Sequence, residues 1–209
     1  MSEAATTATL QALPMRPRIT FPHQAPDLVA AEEAAATFMR ALGIPLEDPD
    51  LADTPQRLAH AYAELLEVPD FDFTTFANTE GYDELVLVED IPVQSLCEHH
   101  LLPFVGVAHV GYLPSARIVG LSKLARTVEH FARRPQTQER LTMQIARHLD
   151  KHLSPRGVGV VIEAEHSCMT IRGAKARAAR TVTSSMLGHL REDAAARAEF
   201  LSLTGRSIT

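Results

Sequence analysis

Cys97, Glu98, His99 and His100 stand in one run, and His166, Ser167 and Cys168 answer them far along the chain, which has no other cysteines. Thiolate and imidazole are the donors Zn²⁺ prefers, so Cys97, His100 and Cys168 can supply three ligands and leave a fourth tetrahedral position open. An open position admits water, and with it hydrolytic chemistry. Two histidines are left over. His99 adjoins the first ligand pair and His166 lies two residues before the last ligand, each placed to move protons near that water. A closed structural zinc site with His99 or His166 as fourth ligand fits the same residue count. A pair of buried cysteines or a disulfide is the plainer alternative, and the adjacent histidines weigh against it.

These residues sit in a chain of 209, long enough for one substantial core, with one domain as the default. A formal charge of −6 argues against a general binder of nucleic acid or acidic membranes, which needs a broad basic surface. No apolar stretch approaches the roughly 20 residues of a membrane span, and the N-terminus lacks the charged start and apolar run of a signal peptide. The expected compartment is the cytoplasm, where thiols stay reduced and serve as ligands rather than disulfides. There is no Gly-x-x-x-x-Gly-Lys-Ser/Thr loop, no His-Glu-x-x-His, and no His-x-Glu with Pro-Cys-x-x-Cys. P-loop nucleotide binding, zincin chemistry and the zinc nucleobase deaminases are thereby set aside.

The elements that must position the cysteines and histidines follow from periodicity. Residues 1 to about 25 show no sustained period and read as a flexible arm. Leu28, Ala31, Ala35, Phe38, Met39 and Leu42 recur at helical spacing up to Gly43, a stop signal. A second helix is expected from Thr54 as cap and Pro55 in the first turn, with Leu58, Ala61, Tyr62 and Leu65 as its apolar face. Residues 69–81 read as a loop. Leu85 to Val88, Ile91 and Val93 form a strand leading into Cys97, and a second strand runs over 105–112, so the Cys-His run lies between two strands. A helix over 121–134 breaks at Pro135 and resumes from Gln136 to about Leu153. Val158, Val160, Ile162 and Ala164 share one face of a strand over 157–165, and continuing it puts His166 and Cys168 on a common side. A last strand over 180–186 and a helix over 192–203 complete an α+β pattern with an antiparallel sheet.

From Ser95 to Gly188 the sequence closely resembles the GTP cyclohydrolase I family. The resemblance is carried by Cys97-Glu98-His99-His100-Leu101-Leu102-Pro103-Phe104, Gly111-Tyr112-Leu113-Pro114, Gly120-Leu121-Ser122-Lys123-Leu124-Ala125-Arg126, Arg133-Arg134-Pro135-Gln136, Gln138-Glu139-Arg140-Leu141, Gly157-Val158-Gly159-Val160, His166-Ser167-Cys168-Met169, Arg172-Gly173 and Thr181-Val182-Thr183-Ser184. It extends more weakly over residues 28 to 94, through Thr54-Pro55-Gln56-Arg57, and over Arg191-Glu192-Asp193. The implied organisation is a flexible arm over 1–25 and one domain over 26–209, with N-terminal helices in 26–70 and a tunnelling-fold catalytic part in 83–209. That fold implies an antiparallel four-stranded sheet with two packed helices. Sheets join between subunits into a five-subunit barrel, and two rings stack into a homodecamer with active sites between subunits.

The resemblance also implies a reaction: zinc-dependent opening of the guanine imidazole ring of GTP, loss of C8 as formate, and reclosure to 7,8-dihydroneopterin triphosphate, the first step of pterin and tetrahydrofolate synthesis. Zinc is held by Cys97, His100 and Cys168, and protonation of N7 falls to His166 or His99. Ser122 is placed near the sugar for the later rearrangement. Glu139 matches the residue that reads guanine, whose N1–H and exocyclic amine are paired donors that call for a carboxylate. Gln138 lies close to the same pocket. Lys123 and Arg126 share a helical face near a helix start, where backbone N–H groups favour anions, and with Arg172 they match the family's triphosphate contacts. Lys175, Arg177 and Arg180 form a further basic cluster that departs from the family pattern.

Overall fold

Alternation of apolar residues in four stretches builds the sheet on which the rest of the chain packs. The computed structural model describes residues 16–20 and 25–205. A two-residue strand, β1 (Arg18–Ile19), precedes the helices α1 (Leu28–Ala41) and α2 (Thr54–Leu65). Short strands β2 (Phe71–Asp72) and β3 (Thr75–Ala77) lead to the long strands β4 (Val86–Cys97) and β5 (Pro103–Leu113). Next come β6 (Arg117–Val119), α3 (Leu121–Ala132), β7 (Pro135–Gln136) and α4 (Gln138–Leu153). The chain closes with β8 (Gly157–His166), a helical turn α5 (Ser167–Thr170), β9 (Thr181–Gly188), a second turn α6 (His189–Glu192) and α7 (Ala194–Leu203).

The main sheet has the order β7-β4-β5-β8-β9. Its four long strands are antiparallel, as the strand pattern predicts, and β7 adds a short parallel edge through Leu96↔Pro135 and Cys97↔Gln136. Pro135 cannot continue α3, so the chain leaves the helix extended and runs beside Cys97. Val158, Val160, Ile162 and Ala164 are all buried on one face of β8. Leu124 and Val128 of α3 and Leu141, Ile145 and Leu149 of α4 fill the same core. On the opposite face Phe200 of α7 packs with Leu113, Val161 and Leu190. Gly159 makes that possible, because a Cβ there would lie 2.9 Å from the Phe200 ring. At the far side of α3 and α4, His148 and His152 stack with ring centres 4.4 Å apart, edged by Phe71, Phe73 and Phe131.

Several expectations are revised. The stretch 69–81 is not simply loop: β2 pairs with β1 and β3 with β6. Arg18 and Ile19, assigned by composition to the arm, therefore form a strand, with Arg18 bonded to Asp72 at 3.3 Å. Residues 1–15 and 21–24 of that arm lie outside the described residues. At the start of α2 the cap position is Asp53 rather than Thr54, whose Oγ1 instead accepts from Arg57 at 3.0 Å. The expected 121–134 helix ends at Ala132, and α4 starts at Gln138 with the Thr137 hydroxyl accepting from Arg140 N. The strand before Cys97 carries a bulge between Val88 and Ile91, where Asp90 adopts φ 53°.

Candidate metal centre and active site

The site is built where β4 and β8 end on either side of β5. Cys97 closes β4, and the chain turns tightly through 98–102. Cys97 O accepts from Leu101 N at 2.8 Å and from His100 N at 3.3 Å, while Cys97 N donates to Leu102 O at 2.9 Å. Leu101 takes the left-handed region at φ 53°, a conformation that a branched residue holds only when its surroundings impose it. Part of that support is the Tyr62 hydroxyl of α2, which donates to Leu101 O at 3.0 Å. The turn folds His100 back so that its Nδ1 lies 3.8 Å from Cys97 Sγ.

Cys168 arrives from the other side, but not on a strand face. Strand β8 ends at His166 and the chain bends at once into the turn α5, which swings Cys168 toward Cys97. The donor atoms of Cys97, His100 and Cys168 all lie within 4.8 Å of one another. Bond lengths of 2.0–2.3 Å in a tetrahedral zinc site imply ligand separations of roughly 3.3–3.8 Å, so a small contraction would close the three donors on an ion. Burial, together with the adjacent Cys97 thiol, pushes the Cys168 thiol pKa up, against the opposing pull of Arg172. Two thiols in that relation favour a cation that can take both as thiolates. His99 Nδ1 is 3.9 Å from Cys97 Sγ, but its side chain is 67% exposed and its Nε2 faces Glu98 at 3.7 Å. Cys97, His100 and Cys168 thus fit a bound metal, and His99 stands outside them.

His166 is held from two sides. Its ring stacks on Phe104 with centres 4.5 Å apart and planes 11° apart, as their pairing across β5 and β8 requires. Its Nε2 meets Gln138 Oε1 at 2.8 Å. Burial lowers its pKa, while the charge of Glu139 works in the opposite direction. Glu139 itself is exposed in the first turn of α4, beside the buried Gln138.

A family model described as GTP cyclohydrolase I matches residues 31–205. The chain belongs to the GTP cyclohydrolase I family. It is 50% identical over 175 residues to "GTP cyclohydrolase 1" of Aquifex aeolicus, covering 82% of this chain and 94% of that protein. With the protein of the same name from Mycobacteroides abscessus it shares 52% over 189 residues, 87% of this chain and 91% of the relative. Another relative of that name, from Streptococcus thermophilus, is 52% identical over 177 residues, 82% of this chain and 94% of its own.

Of the residues that the resemblance assigns to the site, a part is gathered by this chain at one place. Cys97, His99, His100, Cys168, His166, Gln138 and Glu139 share the end of the sheet, and Arg172 is close enough to Cys168 to influence its thiol. Ser122, Lys123 and Arg126 do not join them. The C-terminal end of α3 is the one tied to the Cys97 end, through Ser95 Oγ donating to Arg134 O at 3.2 Å. Ser122 and Lys123 are in the first turn, roughly 16 Å away along the helix at 1.5 Å per residue. Arg126 lines a separate cavity of about 290 Å³ with Ile91, Pro92, Gln94, Glu129 and Arg133.

Some contributors gave no signal in the sequence. Glu98 bonds Arg140, whose Nε also donates to Gln136 Oε1 at 2.8 Å, so the metal-binding turn is tied to the start of α4. Nothing in the spacing of Glu98 and Arg140 announces that pair. In the basic cluster, Arg180 pairs with Glu163 at 2.6 Å, while Lys175 and Arg177 border a hollow of about 560 Å³ with Glu165 and Thr170.

Proposed function

We propose that this chain is a zinc-dependent GTP cyclohydrolase I, converting GTP to formate and 7,8-dihydroneopterin triphosphate. The observation that carries this is the convergence of Cys97, His100 and Cys168 within 4.8 Å, beside a His166 held by Gln138 and an exposed Glu139 on the next residue. A zinc ion held by those three side chains would activate water for attack at C8 of the guanine. His166 or His99 protonates N7, which makes C8 more electrophilic. Glu139 accepts from N1–H and the exocyclic amine, fixing the base so that C8 faces the Cys-His end of the sheet. Arg172, Lys123 and Arg126 bind the triphosphate, and Ser122 serves the rearrangement of the sugar.

The separation between Ser122, Lys123 and the Cys-His cluster supports an active site shared between subunits. So do the sheet edges: among the described residues, β9 pairs only with β8, and β4 is paired on its outer side only at Leu96 and Cys97. Joining such edges around a ring buries them and closes a barrel. The family resemblance implies a decamer of two stacked pentamers, and the open edges are compatible with it. No helix among the described residues is long and apolar enough to cross a membrane.

The test is incubation of metal-quantified protein with GTP, following formate release and pterin fluorescence after oxidation, with His99→Ala alongside. Both products, lost in the variant, are expected. Formate without pterin would remove Ser122 from its rearrangement role, and neither product from zinc-loaded protein would overturn the assignment.

A further inference from the structure

We propose that Gln138 is the positioning residue that locks His166 in the tautomer protonated at Nε2, leaving Nδ1 as the nitrogen that exchanges a proton with substrate. Gln138 is 1% exposed, and both ends of its side-chain amide are committed inside the protein. Its Nε2 faces three oxygens: Ile162 O at 3.0 Å, Thr181 O at 2.9 Å and Thr183 Oγ1 at 3.2 Å. The two carbonyls can only accept, so this end of the amide must be the NH₂ group. Flipping the amide would set its oxygen against both of them.

The hydroxyls agree with that direction. Thr142 Oγ1 donates to Gln138 O at 2.7 Å, which commits its only proton. The 2.6 Å contact between Thr142 Oγ1 and Thr183 Oγ1 is then carried by the Thr183 proton, and Thr183 is left with lone pairs for Gln138 Nε2. What remains is Gln138 Oε1, an acceptor 2.8 Å from His166 Nε2. A buried acceptor at that distance requires a proton on the nitrogen, because two facing lone pairs would leave both groups unsatisfied. The neutral ring therefore carries its proton on Nε2. The Phe104 stack fixes the plane of the ring, the Gln138 contact sets which edge faces inward, and Nδ1 makes no hydrogen bond among the described residues.

Gln138 thus acts through His166 rather than on the base, and the exposed residue beside it, Glu139, is the one that meets guanine. The tautomer assignment stands on hydrogen-bond direction alone, while the role given to Nδ1 rests on the cyclohydrolase assignment.

The experiment separates the two. Solid-state ¹⁵N spectra of the sedimented full-length protein, labelled at histidine and held at pH 8, report which ring nitrogen bears the proton, with the His166 signals found by difference against His166→Asn. The expected result is one tautomer protonated at Nε2; a ring protonated at Nδ1, or an even mixture, would overturn the proposal. In Gln138→Met the bias is expected to disappear, with kcat for GTP falling roughly 10–100-fold at nearly unchanged KM, the pattern of a lost outer partner of a reacting group. Adding Gln138→Met to His166→Ala should lower kcat little further. A raised KM with kcat preserved would mean that Gln138 touches the base directly, and the proposal fails. Should wild-type protein not turn over GTP, the cyclohydrolase assignment falls and the wild-type spectrum still decides the tautomer. That spectrum also decides it if Gln138→Met does not fold.

Discussion

His99 and His166 flank the same pair of thiols and are held in opposite ways. His99 is exposed, with Glu98 at one ring nitrogen and the Cys97 sulfur near the other, whereas His166 is clamped between Phe104 and Gln138. A mobile imidazole can follow a group that moves during reaction, and a fixed one suits a proton transfer at a single position. Replacing a metal donor is the sharpest residue-scale intervention. Cys168→Ser is expected to lower metal affinity by more than the roughly 10–100-fold typical of losing an outer partner, read as metal content after dialysis against a metal buffer. Glu139→Gln should behave differently: metal content stays at the wild-type level, and kcat/KM for GTP falls about 100-fold or more, because an amide presents one acceptor and two donors to guanine's paired N–H groups. The grouping of Cys97, His100 and Cys168 was legible in the sequence because metal chemistry restricts donors to few types, whereas Glu139 was singled out only through the family resemblance. Glu98 and Arg140 were not, since their pairing depends on β7 bringing the start of α4 beside Cys97.

The elements divide along the same line. Long strands and helices could be placed from periodicity because each repeats its pattern over many residues. The short strands β1, β2, β3, β6 and β7 could not, since two or three residues become strand only through a partner distant in sequence. Continuing β8 through Cys168 was the natural extrapolation of alternation, and the bend into α5 defeats it. The cluster of Cys97, His100 and Cys168 sits at that bend, where regular pattern stops. The packing of α7 offers a prediction at this scale. A Cβ on Gly159 would meet the Phe200 ring at 2.9–3.0 Å on three of its atoms. Gly159→Ala is therefore expected to cost about 1–3 kcal/mol, the usual range for overpacking, measured by denaturant unfolding. Because Phe200 lies on the face of the sheet away from α3 and α4, metal content should be unaffected.

Taken whole, the molecule carries an acid sensitivity remote from its chemistry. Burial holds His148 down at about 3, with His152, His130 and Lys151 adding to the effect, and burial also lowers His130 and His152. The His148 Nε2 atom is buried and has no hydrogen-bond partner among the described residues. A base whose folded pKa lies below its unfolded value of 6.5 binds fewer protons when folded, so its contribution is complete above that pH and is lost as pH falls. For His148 alone the loss is about 1.4 kcal/mol per pH unit below roughly pH 6. Melting temperature should decline from pH 7.5 to 5, and His148→Leu should flatten that decline. The proposed sharing of the active site between subunits makes a second whole-molecule prediction. Mixed oligomers of His99→Ala and Lys123→Ala chains, each inactive alone, should regain roughly a quarter of wild-type activity, the fraction of sites drawing an intact half from each chain. No recovery after verified subunit mixing would place each complete site within one subunit.

Cys97 and Cys168 lie at and just beyond the ends of two strands, β4 and β8, that pair with opposite sides of β5, and this sets a chronology for every newly made chain. Cys97, His99 and His100 leave the ribosome about 70 residues ahead of Cys168, a lead of about 4–14 seconds at 5–20 residues per second. During that interval the nascent chain holds Cys97, His99 and His100 of the cluster but no site, since the second sulfur takes its place only once β8 has been laid against β5 and the chain has turned into α5. Capture of a metal by Cys97, His100 and Cys168 would therefore be a late event in the life of the polypeptide, a report that the sheet has already been assembled.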